Sequence, residues 1–240
     1  MITKTTAAAL LTVSTIFAST SAFAEEASSP WSLSANAGVY SDYRFRGVSL
    51  NTENIAVQGG VDASYALSDS VSFYVGNWNS TLDKDAGFGN LEVDLYGGVT
   101  GTAENVTWKL GLVSYLYPDA NNVDYYEIQA EASSAIGPVT AAFGTYIAPK
   151  QKNYGNKTGV YLYSNLSAGI PDTGFTLKAG LGYEDNAFFN NKIDWNVGAF
   201  YTYKVVTLGL SYVDTNKSAP YAVTKDAADA SVVGSLVVNF

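Results

Sequence analysis

From Trp31 onward the chain alternates apolar and polar residues in twelve short stretches, the last of which ends on Phe240. The first shows the form: Trp31, Leu33, Ala35, Ala37, Val39, Tyr43 and Phe45 share one parity, and Ser32, Ser34, Asn36, Asp42, Arg44 and Arg46 share the other. Successive side chains of a β-strand point to opposite faces, so the stretch reads as a strand with one oily face and one wet face. The second sets Ile55, Val57, Val61, Ala63 and Tyr65 against Gln58, Asp62 and Ser64. Apolar sets beginning at Val71, Leu91, Val106, Tyr126, Val139, Val160, Phe175, Ile193, Val206 and Val232 complete the series. In this register no Asp, Glu, Lys or Arg falls on the apolar parity.

That absence selects between two all-β architectures. In a soluble sandwich the apolar parity is a packed core and the other parity is a charged exterior. Here the polar parity is rich in Tyr, Ser, Thr, Asn and Gly and holds few charges, which suits the lining of a narrow lumen. A Lys or Arg facing lipid near the bilayer midplane costs about 2–4 kcal/mol, so hydrocarbon keeps the outer parity free of charge. A bilayer accepts β-structure only as a closed cylinder with every backbone group paired. The expected fold is therefore an all-β, antiparallel, up-and-down transmembrane barrel of twelve strands.

The connections support this. Short turns are expected at 68–70, 101–105, 137–138, 169–173 and 204, and longer connections at 47–54, 80–90, 118–123, 149–158, 184–192 and 214–227. Short and long alternate, as in an even-stranded barrel with both termini in the periplasm and its long loops outside. The last strand places Val232, Leu236, Val238 and Phe240 on one parity. This resembles the signal that delivers outer-membrane proteins to their assembly machinery, which is thereby an expected partner alongside outer-membrane lipids.

The N-terminus adds the compartment. Lys4 supplies a positive start, residues 7–18 a short apolar core, and Ala22-Phe23-Ala24 a small-x-small cleavage site. Residues 1–24 thus read as a signal peptide and 25–240 as the barrel domain; the apolar run of about twelve residues is too short to span a bilayer as a helix. Composition agrees, with 18 Tyr, 22 Gly, one Met and neither Cys nor His. The net charge of −9 argues against nucleic acid as a partner, since the chain repels phosphate. The expected location is a bacterial outer membrane.

Three segments carry a family resemblance: Ser41-Asp42-Tyr43-Arg44-Phe45-Arg46-Gly47-Val48-Ser49, Ala56-Val57-Gln58-Gly59-Gly60-Val61-Asp62 and Leu91-Glu92-Val93-Asp94-Leu95-Tyr96-Gly97-Gly98. Together they resemble the TorF family of outer-membrane proteins, and the likeness spans most of the mature chain. The resemblance implies a β-barrel and a pore, with no substrate attached. Leu50 stands where members of that family often carry Gln.

The candidate chemistry lies on the polar parity. Arg44 and Arg46 are the only arginines, and alternation points both inward near the outer end of the first strand. Glu92, Asp94, Glu127 and Asp194 are expected opposite them, with Asp62, Lys109, Glu131 and Lys178 lining the wall lower down. Basic and acidic patches across a confined passage set up a transverse field that orients dipolar or charged solutes. Acidic residues outnumber basic ones, so a modest cation preference is expected. The same residues serve a second reading equally well, in which the arginines brace the wall through carboxylates and tyrosines and the lumen is plugged. Tyr115, Tyr117, Tyr161 and Tyr163 divide in the same way between a sugar track and lumen filling.

Other classes are disfavoured. Barrel hydrolases, proteases and acyltransferases lean on a histidine base that this chain lacks, so no enzyme activity is expected. Asp83-Lys84-Asp85 is a weak calcium candidate, and no cofactor or metal is expected. Two functional readings stay open: a channel for passive diffusion of small hydrophilic solutes, and a closed structural or adhesive barrel acting through its outer loops. Twelve tilted strands make a backbone cylinder roughly 24 Å across, a size for sugars, nucleosides or small acids.

Overall fold

The computed structural model describes residues 29–218 and 226–240; the expected signal peptide lies outside them. In chain order the strands are β1 (Trp31–Tyr40), β2 (Arg44–Phe45), β3 (Val48–Ser49), β4 (Ala56–Ser68), β5 (Val71–Thr81), β6 (Leu91–Ala103), β7 (Val106–Leu116), β8 (Tyr125–Ile136), β9 (Val139–Ala148), β10 (Gly159–Gly169), β11 (Phe175–Asp185), β12 (Lys192–Tyr203), β13 (Val206–Thr215) and β14 (Ser231–Asn239). All but β2 and β3 form one closed antiparallel barrel of twelve strands in which β1 meets β14. The strand number and up-and-down order expected from the alternation are those observed.

Closure leaves no sheet edge to be satisfied by water, which lipid cannot supply. At the seam the ladder runs from Asn36↔Asn239 to Tyr40↔Ser235. Phe240 extends it, its N–H donating to the Ala35 carbonyl at 2.8 Å and its carbonyl accepting from the Ala35 N–H at 3.1 Å. The short connections are tight turns that use left-handed residues: Glu104 at φ 55°, Gly137 at 62° and Lys204 at 55°.

The outward parity is the apolar one. Leu33 is 75 % exposed, Leu110 55 % and Phe143 64 %, on a barrel whose other face is enclosed. Ring pairs such as Trp31 with Tyr65 at 5.0 Å and Phe175 with Tyr201 at 4.9 Å lie at the short-turn end, where an interfacial girdle belongs. Such a surface is stable in hydrocarbon, and the protein spans a bacterial outer membrane.

The outer face is less strict than the alternation suggested. Continuing the outward parity of β11 and β13 brings Asp185 and Asp214 onto it, at the long-loop ends of their strands. Asp185 pairs with Lys157 at 3.1 Å and Asp214 accepts from the Tyr212 hydroxyl at 2.8 Å. Charge at the interface costs only about 0–1 kcal/mol, which is why these positions tolerate it. Asn77 and Asn79 on β5 also take the outward parity, and their amides bond each other reciprocally at 3.1 and 3.0 Å.

The largest departure concerns the first strand. β1 stops at Tyr40, where the Ser41 N–H donates to the Gly234 carbonyl at 2.9 Å and Ser41 Oγ accepts from the Gly234 N–H at 2.9 Å. Beyond that point residues 41–55, here loop 1, turn into the barrel. Tyr43 and Phe45 therefore do not face lipid: Tyr43 is buried inside, and Phe45 packs among lumen rings. Arg44 and Arg46 do not extend the inner parity of strand one but belong to the inturned loop.

Candidate functional site

Loop 1 contains a small hairpin of its own. β2 and β3 pair Arg44 with Ser49 and Phe45 with Val48, leaving Arg46 and Gly47 as a two-residue turn. Both have positive φ, 48° and 87°, as a type I′ turn requires. Arg46 in this conformation carries the steric cost that glycine or asparagine would avoid, so its placement is held by its contacts. The loop is stitched internally by the Leu50 N–H to the Tyr43 carbonyl at 2.9 Å, the Tyr43 N–H to Asn51 Oδ1 at 2.9 Å and the Ser49 hydroxyl to Asp42 Oδ1 at 2.7 Å.

The turn carries the Arg46 guanidinium across the lumen. Nη1 and Nη2 donate to the two oxygens of Glu127 on β8 at 3.1 and 2.5 Å, and Nη1 also donates to Glu184 Oε1 on β11 at 2.9 Å. The guanidinium lies 4.2 Å from the Tyr161 ring centroid and 4.7 Å from that of Phe45. Lys192 Nζ on β12 is 2.9 Å from Glu184 Oε2, 3.4 Å from Asp194 Oδ2, and donates to the Arg46 carbonyl. The Tyr115 hydroxyl donates to Glu127 at 3.0 Å and the Tyr161 hydroxyl to Asp194 at 3.0 Å. Lys192 is 0 % exposed and Glu127 1 %. Charges so buried persist only when paired and hydrogen-bonded, and planar bidentate geometry makes Arg46 suited to the task.

Arg44 has a different role. It pairs with Asp42 and, at 2.6 Å, with Glu53, both in loop 1. Its Nη1 also donates to the carbonyls of Ala227 at 3.0 Å and Asp229 at 2.8 Å. The Ser49 N–H adds a bond to the Ala227 carbonyl at 2.7 Å, and Val48 packs with Phe189, Ala227 and Ala228. Arg44 thus ties the hairpin to the loop before β14 and does not meet the wall carboxylates across the lumen.

A family model described as a bacterial protein of unknown function (Gcw_chp) matches residues 24–239. The chain belongs to the Gcw_chp family. That description is not the TorF name of the resemblance noted above. No curated protein matches the sequence. Among solved structures, the KdgM porin superposes with a TM-score of 0.55 at 9 % identity, over 86 % of this chain and 98 % of that one. The NanC porin gives 0.50 at 10 % identity, over 87 % and 98 %. An outer-membrane channel from Pseudomonas putida F1 gives 0.51 at 12 % identity, over 93 % and 100 %. At these identities the likeness is one of fold.

In this Gcw_chp barrel the remaining candidates fall on inward parity in separate groups. Glu92 and Asp94, both 0 % exposed, lie two apart on β6, and no cation among the described residues comes within ion-pair distance of them. Glu92 accepts from the Tyr43 hydroxyl at 3.1 Å, so it holds loop 1 through a tyrosine and not through an arginine. Asp62 accepts from the Tyr96 hydroxyl at 2.7 Å and Glu131 from the Tyr163 hydroxyl at 2.7 Å. Lys109, opposite Glu131 in the ladder, sits 4.4 Å over the Tyr74 ring, and Lys178 sits 4.6 Å over that of Phe200. Lumen glycines admit the rings: Gly144 and Gly182 lie beneath Tyr163 and Tyr161, where a Cβ would collide.

Two members of the central network were absent from the expected lining. Glu184 and Lys192 bound the connection expected at 184–192, yet each continues an inward series, Glu184 after Lys178 and Lys192 before Asp194. Extending parity to the strand ends would have found them. Asp83 caps a short 3₁₀ turn at Lys84–Ala86 through the Asp85 N–H at 2.9 Å and accepts from the Thr52 hydroxyl at 2.6 Å. The Thr52 bond, with the Asp85 and Asn54 bonds, holds its carboxyl below the usual carboxylate range. Asp83 in this Gcw_chp chain is thus a loop clasp, with its oxygens engaged.

Above the network, on the long-loop side, is a cavity of about 310 Å³. Phe45 and Leu50 of loop 1 form part of its lining, together with the Glu184–Lys192 pair. Its walls include Phe88, Tyr117, Tyr125, Tyr154 and Phe188. Three of these rings run on from Tyr115 of the wall: Tyr115 stacks on Tyr125 at 4.6 Å, Tyr125 meets Tyr154 at 4.8 Å, and Tyr154 meets Phe188 edge-on at 5.4 Å. Burial pushes the Tyr154 phenol up, keeping it neutral.

Proposed function

We propose that the chain is a porin-type outer-membrane channel for small hydrophilic solutes, with the loop 1 hairpin as its constriction. The observation that carries this reading is Arg46, delivered by a strained turn across the lumen and joined there to Glu127 and Glu184. Arg46, Glu127, Glu184, Lys192 and Asp194 form the eyelet; Asp62, Lys109, Glu131 and Lys178 line the periplasmic half. Glu92 supports the loop from behind through the Tyr43 hydroxyl, with Asp94 two residues along the same face. Opposed fixed charges in a narrow passage favour dipolar solutes over apolar ones. The fold shared with two porins and a channel supports the reading at the level of architecture. Delivery to the membrane relies on recognition of the last strand, ending in Phe240, by the barrel-assembly machinery.

The near-complete burial of Lys192 and Glu127 favours a second reading, a closed barrel acting through its outer loops. Planar-bilayer recording separates the two. Stepwise currents in the wild type, larger in Arg46→Ala, are expected of a constricted channel. Silent membranes with both proteins, each shown folded by its heat-modifiable gel mobility, would leave the closed barrel.

A further inference from the structure

We infer that the outer cavity is a binding site for an uncharged, ring-bearing small molecule with apolar faces and a hydrogen-bonding edge. The inference rests on the channel reading for its biological sense, and it names the class of solute received before the eyelet.

Three observations lead there. The cavity, about 310 Å³, lies at the lower end of the range for small-molecule sites, room for one ring system and its substituents. Its walls are ring faces and edges: Phe88 and Tyr117, 5.2 Å apart, come from one side, and Tyr154 and Phe188 from the other. Aromatic walls grip flat or puckered rings by their apolar faces, and stacking of a base on an aromatic side chain contributes about 1–3 kcal/mol.

Charge decides against an ion. Among the described residues the charged lining is Glu184 and Lys192, and they neutralise each other at 2.9 Å, Glu184 also being held by Arg46 at 2.9 Å. An ionic solute would have to break that buried network or enter an aromatic chamber without a counter-charge, both costly. A neutral ring meets neither cost. Polar groups for its edge stand at Asn122 and Asn153 in the lining.

Pyranosides and nucleosides share this chemistry, so both serve as probes. The folded protein in detergent micelles is titrated by calorimetry with methyl glucoside and uridine, and with the charged counterparts glucuronate and uridine monophosphate. One neutral probe is expected to bind at least tenfold more tightly than its charged counterpart. Phe88→Ala and Phe188→Ala, both in loops outside the barrel ladder, are each expected to weaken it about tenfold, and Asn153→Ala to weaken it less. Failure of both neutral probes to bind, equal binding of the charged ones, or affinity unmoved by both phenylalanine variants overturns the inference. Conductance is read in parallel: a protein that conducts but binds neither probe loses this site and keeps the channel, whereas one that binds but never conducts keeps the site and loses the channel.

Discussion

Arg46 and Glu127 lie 81 residues apart and meet inside the barrel in a two-pronged ion pair, with donor–acceptor distances of 3.1 and 2.5 Å. The pair joins a loop that leaves β1 to a strand on another part of the wall. It converts a surface loop into a lumen element, and most of what distinguishes this barrel from an empty cylinder depends on it.

Removing one partner of a buried pair leaves the other charged and unpaired, at a cost of about 3–5 kcal/mol. Arg46→Ala is therefore expected to lower stability by that order in urea unfolding from lipid vesicles. Arg46→Ala combined with Glu127→Gln should recover part of the loss, because the stranded carboxylate is gone. A double-mutant cycle measures the coupling; additive effects would mean that the contact contributes little.

Arg44 acts at the outer end of the same loop, binding carbonyls of Ala227 and Asp229. Arg44→Ala strands the buried Asp42 carboxylate, so it is expected to loosen loop 1 and to expose residues 41–55 to limited proteolysis. Cleavage there in the variant and not in the wild type is the measurement. Resistance equal to wild type would show that the remaining contacts, Arg46 among them, retain the hairpin without Arg44.

Glu92 and Asp94 share a face with no cation in ion-pair reach among the described residues. Asp94→Asn replaces the carboxyl beside Glu92 with an amide donor of nearly the same volume. An unchanged or raised melting temperature is expected, by up to a few degrees, while Asp94→Leu, which supplies no donor, should not match it.

The outer face makes a depth-dependent prediction. Leu110 lies midway along β7 and Ile193 near the long-loop end of β12, both facing outward. Leu110→Lys is expected to cost about 2–4 kcal/mol and Ile193→Lys about 0–1 kcal/mol in vesicle unfolding. Equal costs at the two positions would contradict the assigned membrane depth.

The candidate site was only partly legible beforehand. Parity placed Asp62, Lys109, Glu127, Glu131, Lys178 and Asp194 inside, because each sits within a strand where the period of two holds. It misplaced Tyr43 and Phe45, since alternation persists by chance for a few residues after β1 has ended. It passed over Glu184 and Lys192, which stand at strand ends where a loop boundary drawn by composition cut the series short. Rarity draws attention to the two arginines, but alternation cannot tell that one is tied to the loop before β14 and the other to β8 and β11.

The amino-acid order alone determined a closed twelve-stranded cylinder with hydrocarbon outside, because each strand's faces follow from a local repeat and lipid enforces that repeat on every strand. Where loop 1 goes, and hence how the lumen is shaped, was decided only by the tertiary structure. Its position rests on bonds between residues as far as 185 apart, and on a left-handed turn at Arg46 and Gly47, neither of which leaves a periodic trace in the chain.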